Sequence, residues 1–248
     1  MLVDNSEAKS ELFGRMMTSL EFFLNRQVFA NKESRRQISD HLTGGGLVLI
    51  RDALQEAVAL RMFECLDQYS DWKVYEDYKT QFHYHHHNIY DGAPHSLDLE
   101  WCRGIFASEP TKSLIQSISQ RDCTGGTVLS ASWYLPGDYS LPHDDFTGEP
   151  GGVRQVAFIW HLTKDWQYNW GGDLFWGPTN RYITPSFNSL ILFNVGPKSF
   201  HHVTPVSPYA TSKRLAISGW WTGQDEPGET LPVSIKPPAS EAKFVELI

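Results

Sequence analysis

Two short stretches of the sequence combine side chains that could bind a metal ion. The segment 141–146 contains His143 and Asp145, two positions apart, and the pair His201-His202 follows later in the chain. Residues two apart share one face of an extended strand, so we expect His143 and Asp145 to point the same way. Two imidazoles and one carboxylate leave the opposite side of an ion open, which is typical of non-haem Fe(II) sites.

In each of these stretches, one of two neighbouring residues has to be chosen as the ligand. Asp144 follows His143 directly, so on a strand it would point to the opposite face, which favours Asp145. For His201 and His202, alternation alone does not decide which imidazole faces the ion.

An arginine downstream of the histidine pair could bind an anion. Arg214 opens a predicted strand on which Ala216, Ser218 and Trp220 share its face. The guanidinium is a permanently charged fork that suits a carboxylate, and the small residues beside it leave room for a ligand. Tyr134 ends another predicted strand with small residues on its own face, and its hydroxyl could hold the same carboxylate. We expect Trp220 to face this pocket too.

The first third of the chain has the apolar spacing of helices. This pattern predicts helices over 7–25, 34–42 and 53–69, and the wholly apolar run Leu47–Ile50 predicts a buried strand. We call this part, about 1–70, a helical support region.

From residue 72 onward, short β-branched and aromatic segments alternate with turn residues, which indicates a sandwich or barrel. One helix is expected at 111–120, and the tail 223–248 is expected to be irregular with a short helix at 240–247. We therefore predict a single domain over 1–248 with its core at 72–222. The predicted strands are 81–90, 127–135, 154–162, 172–176, 189–193, 201–206 and 215–221.

Composition excludes several classes of protein. The formal net charge of −8 argues against a nucleic-acid partner, and no run of about 18 apolar residues predicts a membrane span. The first residues lack the basic and apolar regions of a secretory signal, and three cysteines without C-x-x-C spacing suit a reducing compartment. We expect a cytoplasmic protein; the sequence specifies no oligomeric state.

Ordered motifs across roughly 127–222 carry a family resemblance. The chain resembles the prolyl-hydroxylase-like branch of the Fe(II)/2-oxoglutarate-dependent dioxygenases, and 46–66 is similar to the strand and helix that often precede that core. The matching runs are 134–138, 143–145, 154–162, 164–166, 171–174, 192–194, 201–206 and 214–220.

The resemblance implies a mainly β (α+β) fold, a double-stranded β-helix or jelly roll with the N-terminal helical layer packed on it. It implies that His143, Asp145 and His201 bind Fe(II), and that Arg214 binds the distal carboxylate of the cosubstrate 2-oxoglutarate. Tyr134 matches a tyrosine that lines the cosubstrate pocket. A second pocket tyrosine is usual where this chain has His161, so we expect His161 to contact the cosubstrate instead.

The implied activity is hydroxylation of an unactivated C–H bond with O2, releasing succinate and CO2, with ascorbate as a possible reductant. Halogenating relatives replace the carboxylate ligand with a small residue, so Asp145 favours hydroxylation. The imidazole-rich segment and the short chain lead us to expect an amino acid or amino-acid-derived small molecule as substrate. A protein prolyl residue is the alternative within the family. From other classes, a non-catalytic jelly-roll binding or sensing module and a zinc hydrolase remain open.

Histidines crowd the segment 82–90. On a strand, His83, His85 and His87 would share one face, which allows a second metal site, a substrate-contacting strand, or solvated histidines. We expect substrate contacts here and elsewhere around the pocket. The predicted substrate-binding residues are His85, Asn88, Tyr90, Arg154 and Trp220.

Overall fold

The computed structural model describes residues 19–29, 31–77, 84–89, 96–146, 148–149, 152–224 and 245–248. Six helices precede or flank the sheets in this part of the chain. They are α1 Leu20–Phe23, α2 Arg26–Phe29, α3 Lys32–Thr43, α4 Glu56–Gln68, α5 Leu97–Ala107 and α6 Glu109–Ser119. Across these same ranges, none of the helices is long and apolar enough to cross a membrane.

The strands form two sheets. The strands are β1 Leu47–Ile50, β2 Lys73–Asp77, β3 Tyr84–Ile89, β4 Thr127–Tyr134, β5 Tyr139–Ser140, β6 Gly148–Glu149, β7 Gly152–His161, β8 Leu174–Trp176, β9 Arg181–Ile183, β10 Ser189–Asn194, β11 His201–Val203, β12 Arg214–Gly223 and β13 Val245–Leu247. The larger sheet is ten-stranded, with the order β13-β1-β10-β7-β12-β4-β3-β2 and with β5 and β6 pairing on β3 and β7; the smaller has the order β11-β8-β9.

Alternation along the central strands gives the large sheet two different faces. On β12, Leu215, Ile217 and Trp221 join the main core, which also contains buried residues of the helices. The opposite face of the large sheet packs on the small sheet, where Phe193 of β10 and Trp176 of β8 belong to one buried cluster. The predicted jelly-roll core with a helical layer on it is confirmed, and the sheet face turned toward the small sheet is the one that carries Arg214.

The helical region agrees with the sequence pattern in part. The predicted helices at 34–42 and 53–69 are confirmed as α3 and α4, and Asn31 caps α3 by accepting a hydrogen bond from Glu33 N–H. The predicted helix 7–25 falls mostly outside the described residues. In its described part the helix ends at Phe23, because the next residue, Leu24, forms an antiparallel bridge with Leu54.

The sequence patterns did not predict several other elements, and they predicted a helix where the structure has a strand. Helix α5 and the strands β2 and β9 were not predicted, whereas the helix at 111–120 is confirmed as α6. The helix predicted for 240–247 is wrong where the structure describes it, because Val245–Leu247 pairs antiparallel with β1. The residues 240–244 lie outside the described part of the chain.

Strand β12 passes β4 so closely at one position that only glycine fits. A Cβ on Gly219 would lie 1.8 Å from the backbone carbonyl oxygen of Val128.

We expect Gly219→Ala to lower the free energy of unfolding by about 1–3 kcal/mol or more, because backbone atoms would have to move. Gly104 in α5 is the control: a Cβ there meets nothing within 4 Å, so Gly104→Ala should stabilise by about 0.5–1 kcal/mol. Denaturant unfolding of both variants checks this; equal stability of Gly219→Ala and wild type would contradict it.

Candidate active site

The structure brings three potential metal ligands together at one end of the gap between the sheets. His143, Asp145 and His201 each offer one ligand atom, and these atoms all lie within 4.8 Å of one another. The histidine Nε2 atoms of His143 and His201 are 3.7 and 3.5 Å from the Asp145 carboxylate oxygens. These distances are longer than a strong hydrogen bond, and they leave room for a shared cation.

Backbone pairing holds the two histidines side by side. His143 N–H donates to His201 C=O at 3.0 Å, and His201 N–H donates to His143 C=O at 2.7 Å. The two ring centroids are 4.4 Å apart. This antiparallel bridge joins the segment before Asp145 to strand β11, so the third potential ligand comes from a distant part of the chain.

Both imidazoles are oriented by the backbone. Nδ1 of His143 lies 2.7 Å from Leu141 C=O, and Nδ1 of His201 lies 2.8 Å from Ser199 C=O. A carbonyl only accepts, so each Nδ1 must carry the proton and each Nε2 keeps its lone pair. The Nε2 lone pairs are thus available to a metal ion, which is how metal-binding histidines are usually arranged.

Asp145 lies beside His143 for a different reason from the one the sequence suggested. The extended strand predicted across His143–Asp145 is wrong, because Asp145 has φ of 62° and follows an isolated bridge rather than a strand. Aspartate is one of the few residues that adopt this left-handed conformation readily. The turn directs the buried Asp145 carboxylate inward, whereas the Asp144 side chain accepts a hydrogen bond from Phe146 N–H.

The charges of the cluster favour metal binding. Burial, and after it the neighbouring His201, lower the pKa of His143 to about 4, although Asp145 opposes both effects. Burial would raise the pKa of Asp145, but the charges of His201, His143 and Arg154 and a hydrogen bond from Trp220 keep it below its ordinary value. A neutral imidazole beside an ionised carboxylate is the state that a divalent cation requires.

Arg214 is buried on the face of the large sheet that is turned toward the small sheet, which we call the inner face. Its side chain is almost inaccessible, its Nε–H donates to Gly172 C=O at 2.5 Å, and its guanidinium lies 4.6 Å from the centre of the Tyr134 ring. Strand pairing places Arg214 opposite Tyr134. On the other side of Tyr134, the His86 ring stacks in parallel at 4.7 Å. Burial lowers the pKa of Arg214 to about 10, so it stays charged at neutral pH.

A row of small and polar residues crosses the sheet next to Arg214. The strand registers align Ser189, His161, Ala216, Ser132 and Asn88, one from each neighbouring strand. His161 is fully buried, and neither ring nitrogen has a hydrogen-bond partner among the described residues. Burial and the charge of Arg214 hold the pKa of His161 well below its ordinary value, so the ring is neutral. The two ring nitrogens of His161 are a buried donor and a buried acceptor, and they lie close to the buried cation Arg214. Such a pair suits a polar ligand that can bond to both.

The predicted substrate residues have separate outcomes. Asn88 lies on the inner face, and its Oδ1 is buried with no hydrogen-bond partner in the described structure. Arg154 and Trp220 both contact the Asp145 carboxylate. For His85 the backbone is described but the side chain is not, and Tyr90 and His83 lie outside the described residues. Substrate contact by any of these residues stays a prediction.

Sequence reasoning missed three contributors to the site. His86 supports Tyr134 from behind, Gly172 holds the Arg214 side chain through its carbonyl, and the Ser199 carbonyl orients His201. Backbone carbonyls leave no sequence signal. His86 did have one: alternation within the histidine-rich segment puts it on the face of Asn88, which was already predicted to face the pocket.

The comparisons with known proteins agree with this geometry. Residues 129–222 match the model of the 2OG-Fe(II) oxygenase superfamily. This span contains His143, Asp145, His201 and Arg214. Over this span the chain is similar to the 2OG-Fe(II) oxygenase superfamily, and the relatives and solved structures that it resembles include prolyl hydroxylases.

Curated relatives match over less than half of the chain. It is 37% identical to a prolyl 3-hydroxylase of Drosophila melanogaster over 109 residues, which is 38% of this chain and 19% of the relative. It is 35% identical to a prolyl 3-hydroxylase of Mus musculus over 124 residues, which is 46% of this chain and 22% of the relative. The match therefore spans about a fifth of the length of these relatives.

Solved structures share the fold at lower identity. A Pseudomonas putida prolyl-4-hydroxylase superposes with a TM-score of 0.57 and 18% identity, covering 77% of this chain and 99% of that one. A Trichoplax adhaerens prolyl hydroxylase in complex with a hypoxia inducible factor peptide fragment gives a TM-score of 0.56 and 19% identity, covering 80% and 96%. These likenesses establish the jelly-roll fold.

The unpaired nitrogens of His161 predict a pH-dependent cost in stability. The ring is neutral in the folded state, whereas in the unfolded chain it takes up a proton as the pH falls below its ordinary value of 6.5. Below that pH the unfolded state binds more protons, so the wild type loses stability as the pH falls. We expect His161→Phe to be at least as stable as wild type near neutral pH, and to gain a further advantage of about 1 kcal/mol near pH 5.5. Denaturant unfolding at both pH values checks this; a constant difference would contradict it.

Proposed function

We propose that this chain is an Fe(II)- and 2-oxoglutarate-dependent hydroxylase that acts on a prolyl residue of a protein or peptide. The observation that carries the proposal is the arrangement of side chains between the two sheets. Three metal-ligand atoms lie within 4.8 Å of one another, and a buried arginine with its tyrosine partner lies on the same face of the large sheet as Trp220, which bonds to Asp145. The superfamily match covers all of these residues.

The donor set fits ferrous iron. His143 and His201 would bind it through Nε2 and Asp145 through one carboxylate oxygen, leaving the remaining positions to other ligands. The burial of Arg214 supports a carboxylate ligand, since a buried cation costs free energy unless an anion accompanies it. Arg214 forms no ion pair with any described residue; burial lowers the pKa of its guanidinium, and the charges of Tyr134 and then Asp173 oppose that shift only in part.

The protein's part in the reaction is to bind, orient and exclude water. When bound, iron and 2-oxoglutarate supply the oxidising chemistry, in which O2 hydroxylates a substrate C–H bond while 2-oxoglutarate is converted to succinate and CO2. Arg214 and Tyr134 would hold the distal carboxylate of 2-oxoglutarate, with His161 on the adjoining row. The small side chains of Ala216 and Ser218 leave space between this anchor and the metal ligands.

A peptidyl substrate has better support than the amino acid or amino-acid-derived small molecule expected from the sequence. The curated relatives that match are named prolyl 3-hydroxylases, at 35–37% identity over the matched residues. Three exposed apolar side chains also lie next to the metal ligands in the sequence. Leu141, Phe146 and Phe200 are 46%, 39% and 44% exposed, respectively. An apolar rim of this kind suits a polypeptide partner.

The Asp145 carboxylate is the first part of the site to test. We expect Asp145→Ala to abolish succinate formation, because the metal loses its charged ligand. Asp144→Ala is the matched control: it removes the neighbouring carboxylate, which bonds to Phe146 N–H instead, and should keep most of the activity. Succinate release with iron, 2-oxoglutarate and ascorbate is the measurement. Loss of activity in both variants, or in neither, would count against the assignment.

The cosubstrate anchor is tested by a change that keeps the charge. Arg214→Lys replaces the two-pronged fork by a point charge, so we expect the apparent affinity for 2-oxoglutarate to fall by about tenfold or more. Arg51→Lys is the control, because Arg51 is an exposed residue paired with Glu246. Titration of 2-oxoglutarate into the Mn(II)-loaded proteins gives the affinities. An unchanged affinity in Arg214→Lys would remove Arg214 from this role.

The substrate class is tested with a panel of proline-containing peptides, free proline and other free amino acids. We expect peptides to gain one oxygen atom on proline, detected by mass spectrometry, and to stimulate succinate release. Oxidation of free amino acids alone would support the small-molecule alternative and contradict the peptidyl one. Binding of 2-oxoglutarate without oxidation of any candidate would favour a non-catalytic binding module.

A further inference from the structure

Both carboxylate oxygens of Asp145 accept a hydrogen bond from a residue that is not itself a metal ligand. Trp220 Nε1–H donates to Oδ2 at 2.9 Å, and Arg154 Nη1–H donates to Oδ1 at 3.3 Å. The Asp145 side chain is 4% exposed and that of Arg154 is 13% exposed, so water competes little for either bond. Asp145 lies in a turn with φ of 62°, and these two hydrogen bonds act on the orientation of its carboxylate.

The two donors also hold each other. The Arg154 guanidinium lies 3.6 Å from the centre of the Trp220 ring, which is a close cation–π contact. The indole and the guanidinium carry hydrogen-bond donors and no acceptors, so each can only donate to the carboxylate. Asp145, Arg154 and Trp220 therefore form a closed set of three mutual contacts.

An irregularity in the sheet aims Arg154 at this site. Strands β7 and β12 are paired regularly up to Trp221↔Val156, but the next pair is Thr222↔Arg154, so the register shifts by one residue at Gln155. Without this bulge, alternation from His161 would turn Arg154 to the helical side of the sheet. A bulge turns one side chain to the other face, and here it puts the arginine on the face of Trp220.

We propose that Trp220 and Arg154 are positioning residues for the metal-binding carboxylate of Asp145. Trp220 hydrogen-bonds Oδ2, so that the carboxylate offers one oxygen to the ion. Arg154 holds the indole by its cation–π contact and the carboxylate by its hydrogen bond. This arrangement sets the metal affinity and the geometry of coordination. The inference rests on the proposed metal site, and it assigns to Arg154 and Trp220 a role separate from substrate contact.

The test uses two adjacent tryptophans whose indole N–H groups bond to different partners on opposite faces of β12. Trp220→Phe keeps a large ring but loses the N–H that bonds Asp145. Trp221→Phe removes an N–H that bonds Phe106 C=O at 2.8 Å on the opposite, helical face of the same strand. We expect Trp220→Phe to weaken Mn(II) binding by about 10–100-fold and to change the visible absorption spectrum of the Co(II)-loaded protein. Trp221→Phe should lower stability and leave both metal readouts unchanged.

A second variant keeps the test decisive if Trp220→Phe does not fold. Arg154→Met removes the charge and the flat guanidinium, and should also weaken Mn(II) binding; Arg154→Lys restores only the charge and should recover part of the affinity. Wild-type Mn(II) affinity and an unchanged Co(II) spectrum in folded Trp220→Phe or Arg154→Met would overturn the inference. Failure of the wild type itself to bind Mn(II) would instead overturn the proposed metal site, so the two failures are distinguishable.

Discussion

The site depends on one pair of backbone hydrogen bonds, those that join His143 to His201 in both directions. They fix the separation of two imidazoles that are far apart in the sequence, and they tie the turn bearing Asp145 to strand β11 of the small sheet. The proposed cosubstrate anchor, by contrast, stands on the large sheet. The distance between metal ligands and Arg214 is therefore set by how the two sheets pack, through the buried cluster that includes Phe193 and Trp176.

The inner face of the large sheet changes character along its length. Near Leu47 and Phe193 it is apolar and packs on the small sheet, whereas near Arg214 it carries small and polar residues, among them a fully buried His161 without hydrogen-bond partners in the described structure. Burying such groups opposes folding unless a ligand satisfies them. The helical face, with its continuous apolar core, supplies the compensating stability. One sheet thus combines a stabilising face with a face shaped for a ligand.

The sequence predicted those features that follow from alternation. It placed Trp220 on the face of Arg214, proposed Tyr134 as a partner of that arginine, and singled out His143 and Asp145, because strand periodicity and the spacing of chemical groups are both local. The choice of His201 over His202 came from the family resemblance, since alternation did not decide it. Alternation gave the wrong conformation at Asp145, since a left-handed turn and an extended strand both allow an H-x-D pair to converge. It could not give the role of Arg154, which depends on a bulge in β7, nor the strand Val245–Leu247, which exists only through pairing with β1. Bulges and long-range pairing depend on partners that a local pattern does not contain.

The most direct test of this account is a crystal structure of the protein with Mn(II) and 2-oxoglutarate bound. We expect the ion on Nε2 of His143, Nε2 of His201 and one oxygen of Asp145, with the distal carboxylate of 2-oxoglutarate against Arg214 and Tyr134. An ion held by other residues, or 2-oxoglutarate bound away from Arg214, would contradict it.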